Sequence, residues 1–247
     1  MASTNNVLNN ALSTSIKSAV ETFTISNSDN TGTSAAQMII SVGGGTTTGD
    51  PQESYIITGA NTWSIGADNS ISDQFTVAHN AALGTSNMFV SSTTGVNSFP
   101  LQPCFLAIPT GNQTNATGNG STAYTLGTTV GMTKIFDQGT NFSGVTFTAP
   151  VAGQYLFLGS ATITNCLVST GVQIQIIVSG TGKSAVKTLL RPASAADASI
   201  NICYITSLQA TATAVCKVSA LGEATNRNTV VGGTSSVVSF FAGYLMC

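Results

Sequence analysis

The sequence predicts an all-β protein built as two β-domains in tandem. Three observations lead there. Short apolar runs rich in Val, Ile, Phe and Thr recur along the chain, each closed by Gly, Asn or Asp, which is the rhythm of strands and turns. Hydrophobic residues make up 42% of the 247 positions while charged residues make up only 6%, so the polar surface must be Ser, Thr, Asn and Gly. Helical periodicity is confined to one short stretch near the N-terminus.

That stretch is residues 1–21. Leu8, Leu12 and Ile16 are four apart and share one helical face, which reads as a short helix or attachment tail needing a packing partner. It lacks the basic region and long apolar core of a secretory signal, and no apolar run in the chain reaches membrane-spanning length. No membrane insertion is expected.

Residues 22–108 form the first β-region. "TFTISNSDNTG", "SAAQMIISVGGG", "ESYIITG", "NTWSIGADN", "DQFTVAHN" and "SNMFVSSTTG" each read as a strand with its turn. Residues 109–127, with "PTGNQTNATGNGST", are polar and low in complexity and read as a linker or loop. Residues 128–247 form the second β-region, with strands near 144–149, 153–164, 171–180, 185–190, 199–208, 211–219 and 236–246. This spacing indicates a sandwich or barrel rather than a βαβ fold.

Chemistry is sparse. His79 is the single histidine, and no nucleophile-elbow sequence accompanies it, so no catalytic residue is assigned and no enzyme is expected. Asp68 and Asp73 are the best-spaced carboxylates, but "ADNS" equally reads as a turn. Asp68, Asn69 and Asp73 are the weak candidates for a metal, which would be calcium; no cofactor is otherwise expected. "GTGKS" at 180–184 lacks the spacing of a phosphate loop and reads as a hairpin turn. The basic residues Lys17, Lys134, Lys183, Lys187, Arg191, Lys217 and Arg227 are scattered, against a net charge of −2, so no nucleic-acid partner is expected. The five cysteines, Cys104, Cys166, Cys203, Cys216 and Cys247, show no C-x-x-C spacing and read as free thiols, with one pairing among Cys166, Cys203 and Cys216 left open. Sequons stand at Asn112, Asn115, Asn119 and Asn141.

Two resemblances add to this reading. "VTFTAPVAGQYLF", residues 145–157, resembles the C1q/tumour-necrosis-factor-like jelly roll, in which an F-T-A-P strand turns through V-x-G into a Y-x-F strand. The upstream "FDQGTNFSG", with Phe136 and Phe142, and the closing "SFFAGYLMC" are similar to the same family. The resemblance implies a jelly-roll sandwich over about 128–247, packed as a homotrimer. Val145, Phe147, Tyr155, Phe157, Phe240, Phe241 and Tyr244 are then expected in the core and trimer interface, with Pro150 and Gly153 in the turn. The stretch "GDPQESYIITGANTWSIGADNSISDQFTVAHNAALGTSNMFV" resembles a module of phage tail fibres and virion surface proteins.

These resemblances imply a non-enzymatic virion structural protein: a trimeric fibre, spike or capsid-decoration component that attaches to a host. Its partners would be itself, other virion structural proteins, and a host surface glycan or protein. Its location would be the virion or the extracellular space. One alternative is a secreted or cell-surface C1q-like module that binds glycan or protein. Another is a self-assembling capsid or matrix protein. Asn112, Thr114, Asn115 and Asn119 are the binding-loop candidates, since their amides and hydroxyls suit sugar hydroxyls as well as water.

Overall fold

The computed structural model describes residues 37–42, 49–118, 122–166, 171–179, 184–189, 196–221, 230–231 and 239–247. The expected helix over 1–21 and the first expected strand lie outside these residues. Residues 37–42 belong to the unit Met1–Gly45; they form no strand and leave Met38, Ile39, Ile40 and Val42 exposed. The strand expected over "SAAQMIISVGGG" is therefore not formed at its described positions, which have no ladder partner.

The unit Thr46–Cys247 is all-β. It begins with an antiparallel meander of five strands in chain order. These are β1 (Gln52–Ile56), β2 (Thr62–Asp68), β3 (Gln74–Ala78), β4 (Asn87–Ser91) and β5 (Asn97–Ser98). The turns use residues suited to positive φ: Gly59 lies at 79°, Gly84 at 83° and Gly95 at 81°. The meander buries few apolar side chains, namely Ala78, Leu83 and Val90.

The remaining strands make a two-layer sandwich. One layer contains β7 (Tyr124–Thr125), β9 (Phe142–Ser143), β10 (Thr146–Thr148), β12 (Gly171–Val178), β13 (Ser184–Leu189) and β15 (Thr213–Leu221). Its order is β13-β12-β15-β10-β9, with β7 also on β15. The other layer contains β6 (Cys104–Pro109), β8 (Met132–Gln138), β11 (Gly153–Cys166), β14 (Ala196–Leu208), β16 (Val230–Val231) and β17 (Phe240–Leu245). Its order is β14-β11-β17-β6-β8, with β16 also on β11. All pairings are antiparallel, and the chain passes repeatedly between layers, as in jelly rolls.

The period of two in the sequence becomes the inside and outside of this sandwich. Along β12, Val172, Ile174, Ile176 and Val178 point inward and are buried, while Gln173 and Gln175 alternate outward. Phe105, Phe142, Phe147, Tyr155, Phe157 and Phe241 meet at the centre. Phe105 stacks on Phe142 at 4.8 Å and on Phe147 at 5.0 Å, and Phe157 stacks on Phe241 at 5.8 Å. Such ring pairs add stabilisation beyond the area they bury.

Two expected boundaries are corrected by this topology. The second β-region does not start at 128, because Cys104–Pro109 is a strand of the sandwich, paired with β17. Its partner is distant in sequence, so strand rhythm alone assigns it to the preceding region. Nor do the described residues of 109–127 form a linker. Ala116, Thr117, Tyr124 and Leu126 are buried, and Tyr124 and Thr125 pair with Val218 and Lys217. The stretch folds over the first layer.

Candidate functional site

The outer faces of the two layers differ in chemistry. On the β13-β12-β15 layer, the outward row includes Gln173 and Thr188, with Ser219 in the same row but buried, and beside it Gln175, Val186 and Lys217. The Gln175 amide donates to Gln173 Oε1, and Gln173 Nε2 donates to Thr188 Oγ1 at 3.2 Å. Glutamine, threonine and lysine side chains there give water a satisfied polar surface, although Val186 is 51% exposed among them.

The outer face of the β14-β11-β17-β6-β8 layer is apolar. Register places Ile205, Leu156, Tyr244 and Cys104 in one row across four strands. The next row holds Cys203, Leu158, Ala242, Leu106 and Phe136 across five. Ile205 is 55% exposed, Phe136 49%, Tyr244 41% and Leu158 37%. A groove of about 430 Å3 is lined by Phe136, Leu156, Leu158 and Tyr244, with Gln102 and Gln138 also on its walls. The face turns polar at both ends: toward Ser160, Thr162, Ser199 and Asn201, where Thr162 and Ser199 share a hydrogen bond of 2.9 Å, and toward Gln154 and Ser207, where the Gln154 amide donates to Ser207 Oγ.

The expected core and interface residues divide between inside and outside. Phe147, Tyr155, Phe157 and Phe241 are buried in the core. The Tyr155 hydroxyl donates to Val151 O at 2.9 Å, and burial pushes its pKa up. Phe240 and Val145 are half-buried, and Tyr244 lies on the outer apolar face. Pro150 stands in the bend before β11, but Gly153 is corrected from a turn residue to the first residue of that strand. Its role is close approach rather than unusual φ: a Cβ there would sit 2.6 Å from Leu245 Cδ1 and 2.7 Å from Cys247 O.

Asp68 is fully buried and uses one oxygen of its carboxylate in a local cap, while Oδ2 is buried without a hydrogen-bond partner. Its Oδ1 accepts from Ser70 N at 3.0 Å and from Ser70 Oγ at 2.5 Å, closing the short 3-10 turn Asn69–Ile71. Asn69 N donates to Asp50 Oδ1 at 2.9 Å. Of the metal candidates Asp68, Asn69 and Asp73, Asp68 is buried at the cap and Asp73 is exposed at φ 58°. Among the described residues, no three His, Cys, Asp or Glu side chains gather to hold a metal. His79 lies against Trp63, ring centroids 4.3 Å apart, with Nε2 3.3 Å from Asn61 Oδ1.

Cys104, Cys203, Cys216 and Cys247 are free thiols. Burial pushes the Cys216 thiol up to about 12. Cys104 is also raised, first by burial and then by the nearby Asp137, while a hydrogen bond from the Gln138 backbone opposes the shift. Asp137 makes the ion pair with Lys134 at 3.0 Å and accepts from the backbone of Asn141 and Phe142.

Of the binding-loop candidates, Asn112, Thr114 and Asn115 are exposed, and Asn119 lies outside the described residues. So do most of the turns near 180–184 and 222–234, with Lys183, Arg191 and Arg227. Sequence reasoning missed Leu106, Phe136, Leu156, Leu158 and Ile205 as members of one face. Alternation along β11 marks Leu156 and Leu158 as outward, but only register shows that their neighbours are apolar too.

No family model and no curated protein matches the chain. Solved structures do. The globular domain of zebrafish complement 1qA protein is 12% identical, with TM-score 0.42, covering 59% of this chain and 98% of that one. The crystal structure of murine APRIL at pH 8.0 is 13% identical, with TM-score 0.40, covering 59% of this chain and 99% of that one. A second murine APRIL structure, at pH 5.0, is 12% identical with TM-score 0.39 and covers the same 59% of this chain. The virion reading is corrected accordingly. These proteins are a complement domain and APRIL, not fibre, spike, capsid or decoration proteins, and the expected tail-fibre module has no counterpart among them. Virion partners and a virion location have no support among these structures.

Proposed function

We propose that the chain is a non-enzymatic, self-associating recognition module of the C1q/tumour-necrosis-factor-like kind, working outside the cell. The observation that carries this is the contrast between the two outer faces. One layer presents glutamine, threonine and lysine to water; the other presents Leu156, Leu158, Ile205, Phe136 and Tyr244. An antiparallel sheet with one solvated side is polar on that side. A contiguous apolar face marks a contact surface instead.

The occupant is a second copy of the chain. The face carries no charge of its own along its apolar rows, so it suits an equally uncharged partner. Closure of three copies about an axis buries such a face without leaving an open, polymerising patch. The loops at the layer margins then remain outward, where amides and hydroxyls bind glycan or protein. A surface poor in charge and rich in Ser, Thr and Asn accords with an extracellular setting.

Sedimentation or mass photometry tests this. The wild-type chain runs as a closed oligomer at micromolar concentration. Leu158→Asp, which places a charge in the middle of the apolar face, shifts it to monomer. Thr188→Asp, on the polar layer, leaves the oligomer intact. A wild-type monomer, or equal effects of the two substitutions, refutes the proposal.

A further inference from the structure

Ladder register sorts the side chains of the β1–β5 meander onto two faces of opposite character. Ser54, Ser64 and Ala78 share one face with Gly66, Thr76 and Val90. The segment after β3 covers it: Ala81 O accepts from Ser64 Oγ at 3.2 Å and from Gln52 Nε2 at 3.0 Å, and Leu83 is buried beside them. Ser64, Thr76 and Ala78 are accordingly shut off from solvent.

The opposite face is apolar and open. Register sets Tyr55 beside Trp63, then Ile65, Val77 and Phe89 in the next row, then Phe75 beside Ala67. Tyr55 is 56% exposed, Phe75 46% and Trp63 37%. The charged side chain on these rows is Glu53, on edge strand β1, where it accepts from the Tyr55 hydroxyl at 2.8 Å. We propose that this face is a second contact surface for a neighbouring copy of the chain, continuous with the apolar face of the sandwich, and that association completes the packing of the meander. The inference rests on the recognition-module reading and extends its interface beyond the sandwich.

Two observations name the occupant. The first is continuity. Phe99 and Gln102 line the groove on the sandwich face and also a second groove of about 680 Å3, whose walls include Trp63, Met88, Leu101 and Met246. Phe89 meets Phe99 edge-on at 5.7 Å, which joins the meander's apolar rows to that shared wall. The wall is anchored, because Gln138 Nε2 donates to Phe99 O at 2.8 Å and to Gln102 O at 2.7 Å. A neighbour seated on Leu156, Leu158 and Tyr244 therefore also reaches the meander.

The second is the meander's missing core. Its buried apolar side chains are Ala78, Leu83 and Val90, and they lie on the covered side or in the covering segment. A small sheet needs a packed apolar face to hold together in water. The larger rings are on the open side, so the burial that would complete the sheet comes from outside it. A contiguous apolar patch of this kind marks a contact surface. A second copy suits it, because charged residues are only 6% of the chain and an uncharged face meets an uncharged face without stranding a charge.

The experiment uses the full chain. Acrylamide quenching of Trp63, the single tryptophan, is compared between the wild-type oligomer and the Leu158→Asp monomer. Quenching is expected to be severalfold weaker in the oligomer. Phe75→Thr and Tyr55→Thr each remove one exposed ring and keep a residue that suits strands. Each is expected to raise the dissociation constant about tenfold in a sedimentation dilution series. Thr85→Asp, an exposed position on the segment that covers the other face, is expected to leave that constant unchanged. Unchanged dissociation constants for both ring substitutions refute the contact while the module reading stands. Equal quenching of Trp63 in oligomer and monomer refutes it too; strong shielding in both shows that the chain covers the face itself. A monomeric wild type refutes the module reading, and this contact with it.

Discussion

Gly243 lies on β17 directly between Phe157 on β11 and Phe105 on β6. The three residues form one row on the inner face, two rings separated by a hydrogen atom. A methyl group at Gly243 would sit 2.6 Å from Phe157 Cδ1 and 2.9 Å from both Phe157 Cε1 and Phe105 Cε1. Neither ring has an easy retreat. Phe157 stacks on Phe241 at 5.8 Å and Tyr155 at 6.2 Å, while Phe105 stacks on Phe142 and Phe147. The strands themselves are held in register by their ladders. Overpacking of a filled core costs about 1–3 kcal/mol, and two blocked rings place Gly243→Ala near 3 kcal/mol. For a unit of this size that lowers the melting temperature by roughly 6–12 °C. The assay is denaturant and thermal unfolding at one fixed protein concentration, since self-association couples to stability. Gly59→Ala is the control. Gly59 has positive φ, 79°, but no atom within 4 Å of the added methyl, so only backbone strain of about 1–2 kcal/mol applies. Adding Phe157→Leu to Gly243→Ala should recover part of the loss, because the two sites are in contact. If Gly243→Ala costs less than Gly59→Ala, the aromatic packing described here is wrong.

Three further outcomes follow from the same structure. In thiol labelling, exposed Cys203 and Cys247 react first and buried Cys216 reacts only on unfolding; oligomer formation protects Cys203, which shares the apolar face with Leu158. Labelling of Cys203 at the same rate in monomer and oligomer argues against that face as the contact. The Cys216 thiol, raised from 9.0 to about 12, binds its proton more tightly in the folded than in the unfolded chain. Its contribution is therefore complete below pH 9 and is lost toward pH 12, at a slope of about 1.4 kcal/mol per pH unit that Cys216→Ala removes; alkaline unfolding curves check this. Trp63, the single tryptophan, stands in the sparsely buried meander, so its fluorescence should change at lower denaturant than the circular dichroism of the sandwich.

Much of the sandwich core was legible because a period of two survives translation into structure. "TFTAPVAGQYLF" places Phe147, Tyr155 and Phe157 on inward positions, and all are buried. The meander strands were legible for the same reason, each closed by a turn residue. What stayed hidden depends on long-range pairing. Cys104–Pro109 looks like the tail of one region until its partner at 240–245 is known. Phe136 and Phe142 look equivalent in "FDQGTNFSG", yet Phe142 is buried and Phe136 stays 49% exposed, because Asp137 holds a tight turn between them. The apolar outer face is invisible to any one-strand pattern, since it needs five strands in register. The docking of residues 110–118 on β15 was visible only as loop composition; Thr117, which donates to Thr122 O and accepts from Ala220 N, is one threonine among many.

The order of the second layer, β14-β11-β17-β6-β8, has a consequence for synthesis. Strand β17 sits in the middle of the layer although its residues are the last of the strands to be made. Until residues 240–245 leave the ribosome, β6 and β8 cannot join β11 and β14, and Phe105 has no Phe241 to meet. The growing chain therefore holds two half-layers apart, each with an open edge and bare aromatic rings. Loop closure over so long a separation slows folding, and open edges invite aggregation. A chain stalled or cut before residue 240 is expected to collect in inclusion bodies or on chaperones rather than as a smaller folded domain.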